Sequence, residues 1–228
     1  MCGRFTLAKP PDALTRHFAL PRHAAAAAPR YNIAPSQAVS AVRTIPDGSD
    51  REMVDLSWGL LPFWSRDPKG MRTINARAET IAAKPAFREP FRKRRCLIPA
   101  DGFYEWQWLG KRKQPWYIHR ADGELFAFGG LWDRWRDPAT GDCIESCAIV
   151  TTAPNPLIAP VHDRMPLILA PADYEAWLSP LASDPSPLLK PFPADLLRMH
   201  RVGTGVGSPA NNTPECTAPL PADSPPAG

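Results

Sequence analysis

Arg95-Cys-Leu-Ile-Pro-Ala-Asp-Gly-Phe-Tyr-Glu-Trp-Gln-Trp108 reads as two apolar, β-rich runs, Arg95–Pro99 and Phe103–Trp108, separated by a short Ala-Asp-Gly break. Runs of the same kind recur on both sides of it, at Ala38–Ile45, Met53–Trp58, Pro115–His119, Leu125–Trp132, Ser146–Thr152 and Pro166–Leu169. The 29 prolines of this 228-residue chain leave little room for long helices or for a repeating strand–helix alternation, so a doubly wound sheet is disfavoured. The pattern predicts a curved, mostly antiparallel β-structure. Helices are expected at Pro11–Ala19, from after Asn75 to about Lys84, and at Ala172–Leu178, where Pro171 precedes a run that sets Tyr174, Trp177 and Leu178 on one face. The fold class is α+β, with a single compact domain over residues 1–213. The Pro-rich stretch 214–228 is expected to be a disordered tail, and Ala24–Ala28 a tolerated loop insertion.

Length suffices to bury a core without disulfides. Five cysteines, an odd number, accompany no signal-peptide pattern and no apolar run long enough to span a bilayer, so a soluble protein of a reducing cytoplasm is expected. Cys143 and Cys147 are four apart and Cys96 is isolated, with no paired histidines nearby, so neither a metal nor a cofactor is expected. Gly203-Thr-Gly-Val-Gly207 resembles part of a phosphate loop but opens no βαβ unit, and is discounted. The net charge is only +4, yet nine basic residues (Arg88, Arg92, Lys93, Arg94, Arg95, Lys111, Arg112, Lys113, Arg120) face three acids (Glu89, Asp101, Glu105) between Arg88 and Arg120. That local excess suits either a polyanionic partner or an ordinary solvated basic face.

Chemistry begins at Met1-Cys2-Gly3. Removal of Met1 would leave Cys2 with an α-amine of pKa near ~8 beside a thiol near ~8.5, a 1,2-aminothiol able to trap an aldehyde as a thiazolidine. The alternative is a small buried hydrophobe at a strand start. Asn75 and Arg77, in Thr73-Ile-Asn-Ala-Arg-Ala-Glu79, are read as a helix-start amide and a first-turn guanidinium. Glu105 lies between Tyr104 and Trp106, where a buried carboxyl gains a raised pKa suited to proton transfer, unless strand alternation turns it to solvent. His162 and Arg164, two apart before an apolar strand, would face one side as an acid/base and a phosphate fork. Trp58, Trp64, Trp106 and Trp108 stand beside polar or turn residues, and one or two of them near basic residues could stack on nucleobases, while most of the eight tryptophans belong to the core.

Seven ordered blocks, Met1-Cys-Gly-Arg-Phe5, Tyr31-Asn-Ile-Ala-Pro-Ser-Gln37, Trp58-Gly-Leu-Leu-Pro-Phe-Trp64, Ile74-Asn-Ala-Arg-Ala-Glu-Thr80, Cys96 through Trp106, Phe128-Gly-Gly-Leu-Trp132 and His162-Asp-Arg-Met-Pro166, resemble the SOS response-associated peptidase (SRAP) family. The resemblance implies a compact α+β fold around a distorted β-barrel, and a DNA-repair role in shielding abasic sites of single-stranded DNA by a covalent crosslink through Cys2. It further implies that Asn75 positions the amine and sugar, that Glu105 shuttles protons and that His162 assists sugar opening. DNA contacts would fall on Arg4, Pro35, Trp64, Arg77, Trp106, Thr151 and Arg164. The chain would act as a monomer in the cytoplasm, nucleoid-associated through its DNA. Gly207 and the Ala-rich loop depart from the family pattern.

Three other functions compete. A thiol peptidase would use Cys2, Glu105 and His162 to excise Met1 or cut other peptides. A non-catalytic single-strand reader would use only the basic and aromatic residues. An N-terminal-nucleophile amidotransferase also begins Met-Cys-Gly, but its glutamine-binding blocks are missing here.

Overall fold

The computed structural model describes residues 2–221 except 23, 25, 26, 46–49, 68, 69, 71 and 180–183. Its strands are β1 (Phe5–Leu7), β2 (Arg30–Ile33), β3 (Ala38–Thr44), β4 (Arg51–Trp58), β5 (Asn75–Arg77), β6 (Arg95–Ala100), β7 (Gly102–Leu109), β8 (Arg112–Arg120), β9 (Phe126–Arg136), β10 (Cys143–Thr152), β11 (Met165–Pro166), β12 (Ile168–Leu169) and β13 (Leu197–Arg201). The α-helices are α1 (Pro11–His17), α2 (Pro85–Lys93) and α3 (Tyr174–Leu178).

All six residues of β6 are buried, because both of its faces are covered. Alternation sends Cys96, Ile98 and Ala100 into a core shared with Phe5, Phe103, Phe126 and Phe128, and Leu97 into a second core shared with Phe18, Phe87, Phe91 and Trp177 of the helical side. The neighbours of β6 divide in the same way, with Cys147 and Ile149 of β10 in the first core and Ala148 and Val150 in the second. A strand buried on both faces reads as a near-continuous apolar run, which is why β6 was visible in the sequence.

Five strands close on themselves: β3 pairs with β4, β4 with β10, β10 with β9, β9 with β6, and β6 with β3. Only the β4–β10 step of this ring is parallel, so the barrel is mostly antiparallel as expected. A second sheet in the order β13-β8-β7-β1-β2 packs on it. Close approach is built into the Phe128-Gly-Gly-Leu-Trp132 segment, where a Cβ on Gly130 would lie 2.9 Å from Cys96 Sγ.

Several expectations need correction. No helix follows Asn75: residues Asn75–Arg77 form β5, a 3₁₀ turn occupies Ala78–Thr80, and the helix starts at Pro85 with that proline in its first turn. The cause is tertiary, since β5 lies parallel to β10 in the register Ile149↔Asn75, Val150↔Ala76 and Thr151↔Arg77. Strands β1, β2 and β13 went unread. The basic excess between Arg88 and Arg120 is not one surface. Arg95 is buried and donates to the carbonyls of Trp177, Phe91, Arg92 and Ser179, Arg94 pairs with Asp133, and Arg120 with Asp122. The chain stays packed past Pro214, with Cys216 buried against Tyr104, Tyr117, Val202 and Val206 and with Leu220 N–H donating to the Arg201 carbonyl at 2.9 Å. Within the stretch read as a tail, residues 222–228 lie outside the described residues, as do Met1 and, in the Ala-rich loop, Ala25 and Ala26. Among the described residues no helix is long and apolar enough to cross a membrane.

Candidate active site around Cys2

Strand β1 is wedged between β2 and β7, and the Tyr104 N–H donates to the Arg4 carbonyl at 3.0 Å, so the residues before β1 run alongside β7. This carries the buried Cys2 to the seam between the second sheet and the barrel. From the barrel side, Asn75 Nδ2 donates to the Cys2 carbonyl at 3.0 Å. The Asn75 Oδ1 is buried and has no hydrogen-bond partner among the described residues, which leaves an acceptor beside the Cys2 backbone. Asn75 is itself fixed from below, because Trp58 Nε1 donates to the Ile74 carbonyl at 3.0 Å and the Ile149 N–H donates to the same oxygen at 3.0 Å. Asn75 is thus a strand residue whose side-chain amide is directed at Cys2, not a helix cap.

From the other side comes Glu105, on β7 opposite Trp116 and only 1% exposed. Alternation turns it inward with Phe103. Burial raises its pKa to about 7, so its carboxyl titrates at neutrality. Burial likewise pushes the Cys2 thiol well above its ordinary value, and the charge of Glu105 adds to the effect.

His162 approaches from a turn anchored by Asn155, whose amide donates to the Phe192 carbonyl at 2.8 Å and whose Oδ1 accepts the Ile158 N–H at 3.0 Å. The His162 N–H then donates to the Ile158 carbonyl at 3.0 Å. Its Nε2 stands 4.0 Å from Glu105 Oε2. Its Nδ1 accepts the Arg164 N–H at 3.0 Å, which in the neutral ring leaves the proton on Nε2, facing Glu105. Asp163 Oδ1, 2.9 Å from the same Nδ1, forms an ion pair only when the ring is protonated. Burial is the main cause of a lowered His162 pKa, so the neutral ring prevails at pH 7.

The residues expected to touch DNA separate into two groups. Arg77 is exposed at the end of β5, Trp64 is 53% exposed beside exposed Phe63, and Trp106 is half-buried against Tyr104. The Leu61 and Phe63 N–H groups donate to Ser146 Oγ and Asp133 Oδ2, bolting down the segment that presents Trp64. Pro35 is half-buried in the turn before Ser36, whose N–H donates to the Trp58 carbonyl at 2.8 Å. Three others are held by the protein itself. Arg4 donates to Asn32 Oδ1 and to the Val206 and Gly207 carbonyls, tying the first residues to the C-terminal segment. Arg164 forms a two-pronged pair with Glu79 at 2.6 and 2.9 Å and donates to the carbonyl of buried Thr151 at 2.6 Å. Glu79 went unread as a site residue. Its only signal was its place in the alternating series Asn75, Arg77, Glu79.

A profile of the family described as "SOS response associated peptidase (SRAP)" matches residues 1–209. The chain belongs to the SRAP family. Among SRAP relatives, the abasic site processing protein YoqW of Bacillus subtilis (strain 168) is 44% identical over 222 residues, spanning 94% of this chain and 98% of that one. The abasic site processing protein HMCES of Gallus gallus is 34% identical over 199 residues, spanning 76% of this chain and 59% of its own. A crystal structure of a protein from Bacteroides thetaiotaomicron superimposes with a TM-score of 0.85 at 28% identity, covering 96% of this chain and all of that one. Of the blocks read in the sequence, those carrying Asn75 and Glu105 meet Cys2, and Glu105 links the His162 block to them.

Proposed function

We propose that this protein processes abasic sites in single-stranded DNA by crosslinking itself to them through Cys2. The observation that carries the reading is the convergence of Asn75, Glu105 and His162 on a cysteine at position 2. The relatives named as abasic site processing proteins support DNA with abasic sites as the target.

While the Met1–Cys2 peptide bond stands, the Cys2 nitrogen is an amide and not a nucleophile. Hydrolysis of that bond frees an α-amine. The amine adds to C1′ of the ring-opened deoxyribose, and the carbinolamine loses water to give an imine. The Cys2 sulfur then adds to the imine carbon and the thiol proton passes to nitrogen, closing a thiazolidine, so that aldehyde and aminothiol yield the adduct and one water. Glu105, with its pKa near 7, donates the proton to the departing hydroxyl. His162, neutral with Nε2–H toward Glu105, donates that proton to the sugar's ring oxygen as the C1′–O4′ bond breaks and regains one from the C1′ hydroxyl. Asn75 holds the Cys2 backbone and offers Oδ1 to the amine. A peptidase activity confined to removal of Met1 uses the same residues and precedes the crosslink. The work is then done wherever the DNA lies, which in a bacterium is the cytoplasm.

Intact mass of the purified protein before and after incubation with abasic single-stranded DNA tests the reading. The expected results are a mass lacking Met1 and a denaturation-resistant adduct that Cys2→Ala abolishes. An undiminished adduct in Cys2→Ala, or in a variant that retains Met1, overturns it.

A further inference from the structure

The β7–β8 hairpin extends beyond the site. Trp108 is 64% exposed, Leu109 is exposed, and the turn that follows, through Gly110 at φ +65°, carries exposed Lys111, Arg112 and Lys113. Lys113 is the cross-strand partner of Trp108 and sets Nζ 4.3 Å from the ring centroid, which fixes one face of the indole and leaves the rest to solvent. Below the tip the strand is anchored, since Gln107 Nε2 donates to the Pro160 carbonyl and Trp116 Nε1 to Gln107 Oε1, both at 3.1 Å. Single exposed aromatics are common on protein surfaces. This one is followed within five residues by three cations, one of them on its ring, with no acid in the sequence between Glu105 and Arg120, and it stands on the strand that carries Glu105.

Alternation puts Trp106 and Trp108 on the same face of β7, roughly 7 Å apart and opposite to the face of Glu105, with Trp108 about 10 Å along the strand from it. We infer that this hairpin is a second, non-covalent contact for the DNA strand flanking the abasic site, with Trp108 stacking on a base and Lys111 and Arg112 meeting phosphates. The inference rests on the crosslinking reading and extends it: β1 pairs with β7 only at Gly102 and Phe103, so a DNA strand that leaves the reactive centre across the β7 edge beyond them meets Trp106 and then Trp108 on the other face. Stacking on one exposed aromatic is worth ~1–3 kcal/mol, or about a 5- to 150-fold change in affinity.

Binding of abasic oligonucleotides to the Met1-free protein, measured by fluorescence anisotropy with borohydride-free, rapid mixing to read the complex before the adduct, provides the test. Two series of strands extend from the lesion on one side or the other. Trp108→Ala is expected to weaken binding about tenfold for strands long enough on one side and to erase the affinity step that marks this length in the unsubstituted protein. Trp108→Phe is expected to retain most of it. Lys111→Ala with Arg112→Ala is expected to lower the salt slope by about 1.4, or roughly 0.7 per phosphate. Unchanged affinities and slopes in all three variants, beside normal adduct formation, overturn the hairpin contact and leave the crosslinking reading standing, with the tip then a surface for another protein. Absence of any adduct from the unsubstituted protein fails the crosslinking reading instead.

Discussion

Glu105 and His162 face each other at 4.0 Å, Oε2 to Nε2, with the Cys2 backbone held by Asn75 between the barrel and the second sheet. Two proton carriers at that separation divide the labour: the carboxyl changes charge near pH 7, while the ring stays neutral there. Crosslinking needs the Cys2 amine unprotonated, above ~8, and the Glu105 carboxyl protonated, below about 7. Their product gives a bell with its maximum between the two values. Glu105→Gln is expected to lower the rate by ~10² to 10⁴ and to remove the descending limb, leaving a rate that rises with pH to a plateau. Single-turnover adduct formation from pH 5.5 to 9.5 checks this, and an unchanged bell in the glutamine variant would remove Glu105 from the proton transfer.

The same carboxyl costs stability. Its folded pKa, about 7, lies above the unfolded value near 4.5, so the native state holds the proton more tightly. Its unfavourable contribution is absent below pH 4.5 and grows as pH rises toward 7, reaching roughly 3 kcal/mol above it. Glu105→Gln is therefore expected to be near neutral at pH 4 and stabilising at pH 8.5, by up to that amount. Urea unfolding at the two pH values measures the difference. Equal effects at both would show that Glu105 is not held neutral by its surroundings.

Arg77 and Arg164 are both candidates for phosphate contact, but only Arg77 is exposed, since Arg164 is clamped by Glu79 and the Thr151 carbonyl. Arg77→Ala is expected to lower the salt slope of DNA binding by about 0.7 with little change in stability. Arg164→Ala is expected to cost roughly 1 to 2 kcal/mol of stability, the figure discounted for the exposure of Glu79. The Arg164 backbone N–H that fixes the His162 tautomer survives this substitution, so any effect on catalysis comes through loss of the side-chain clamp that holds the segment. Salt-dependent binding and chemical unfolding of the two variants separate the roles, and a reversed pattern would mean that Arg164 leaves Glu79 for the DNA.

Why some of this was legible and some not has a physical basis. Strands such as β6 and β9 announce themselves because burial on both faces demands consecutive apolar residues. Cys2, Glu105 and His162 stood out because each is a reactive type where packing alone asks for something else. The segment after Asn75 misled because Asn-Ala-Arg-Ala-Glu carries helical propensity, while its strand state comes from pairing with β10, some seventy residues on. Strand β1 is too short to show a period, and β13 is largely polar at the sheet edge. The Glu79–Arg164 clamp joins residues 85 positions apart, so no local pattern encodes it. The packing of Cys216 beneath a proline-rich stretch was hidden for the same reason, since composition speaks for solvation and only the fold supplies Tyr104 and Val206 as neighbours.

His162 and Glu105 are finally separable by substrate. The abasic sugar is mostly a closed ring, and only the open aldehyde reacts. If His162 serves ring opening, His162→Ala slows the supply of aldehyde but leaves imine chemistry intact, whereas Glu105→Gln slows the imine step and its reversal whatever the sugar does. A strand carrying a permanently open-chain aldehyde is therefore expected to restore His162→Ala to within a few-fold of the unsubstituted protein and to leave Glu105→Gln slow by most of the ~10² to 10⁴ assigned to general acid catalysis. Both adducts should have the same mass. Thiazolidine reopening, followed by transfer of the released aldehyde to a competing hydroxylamine, is expected to be slower still in Glu105→Gln, because the same carboxyl must protonate the leaving sulfur or nitrogen. Equal rescue of the two variants by the open-chain strand would mean that the pair at 4.0 Å acts as one unit on one step, and that the division between them is wrong.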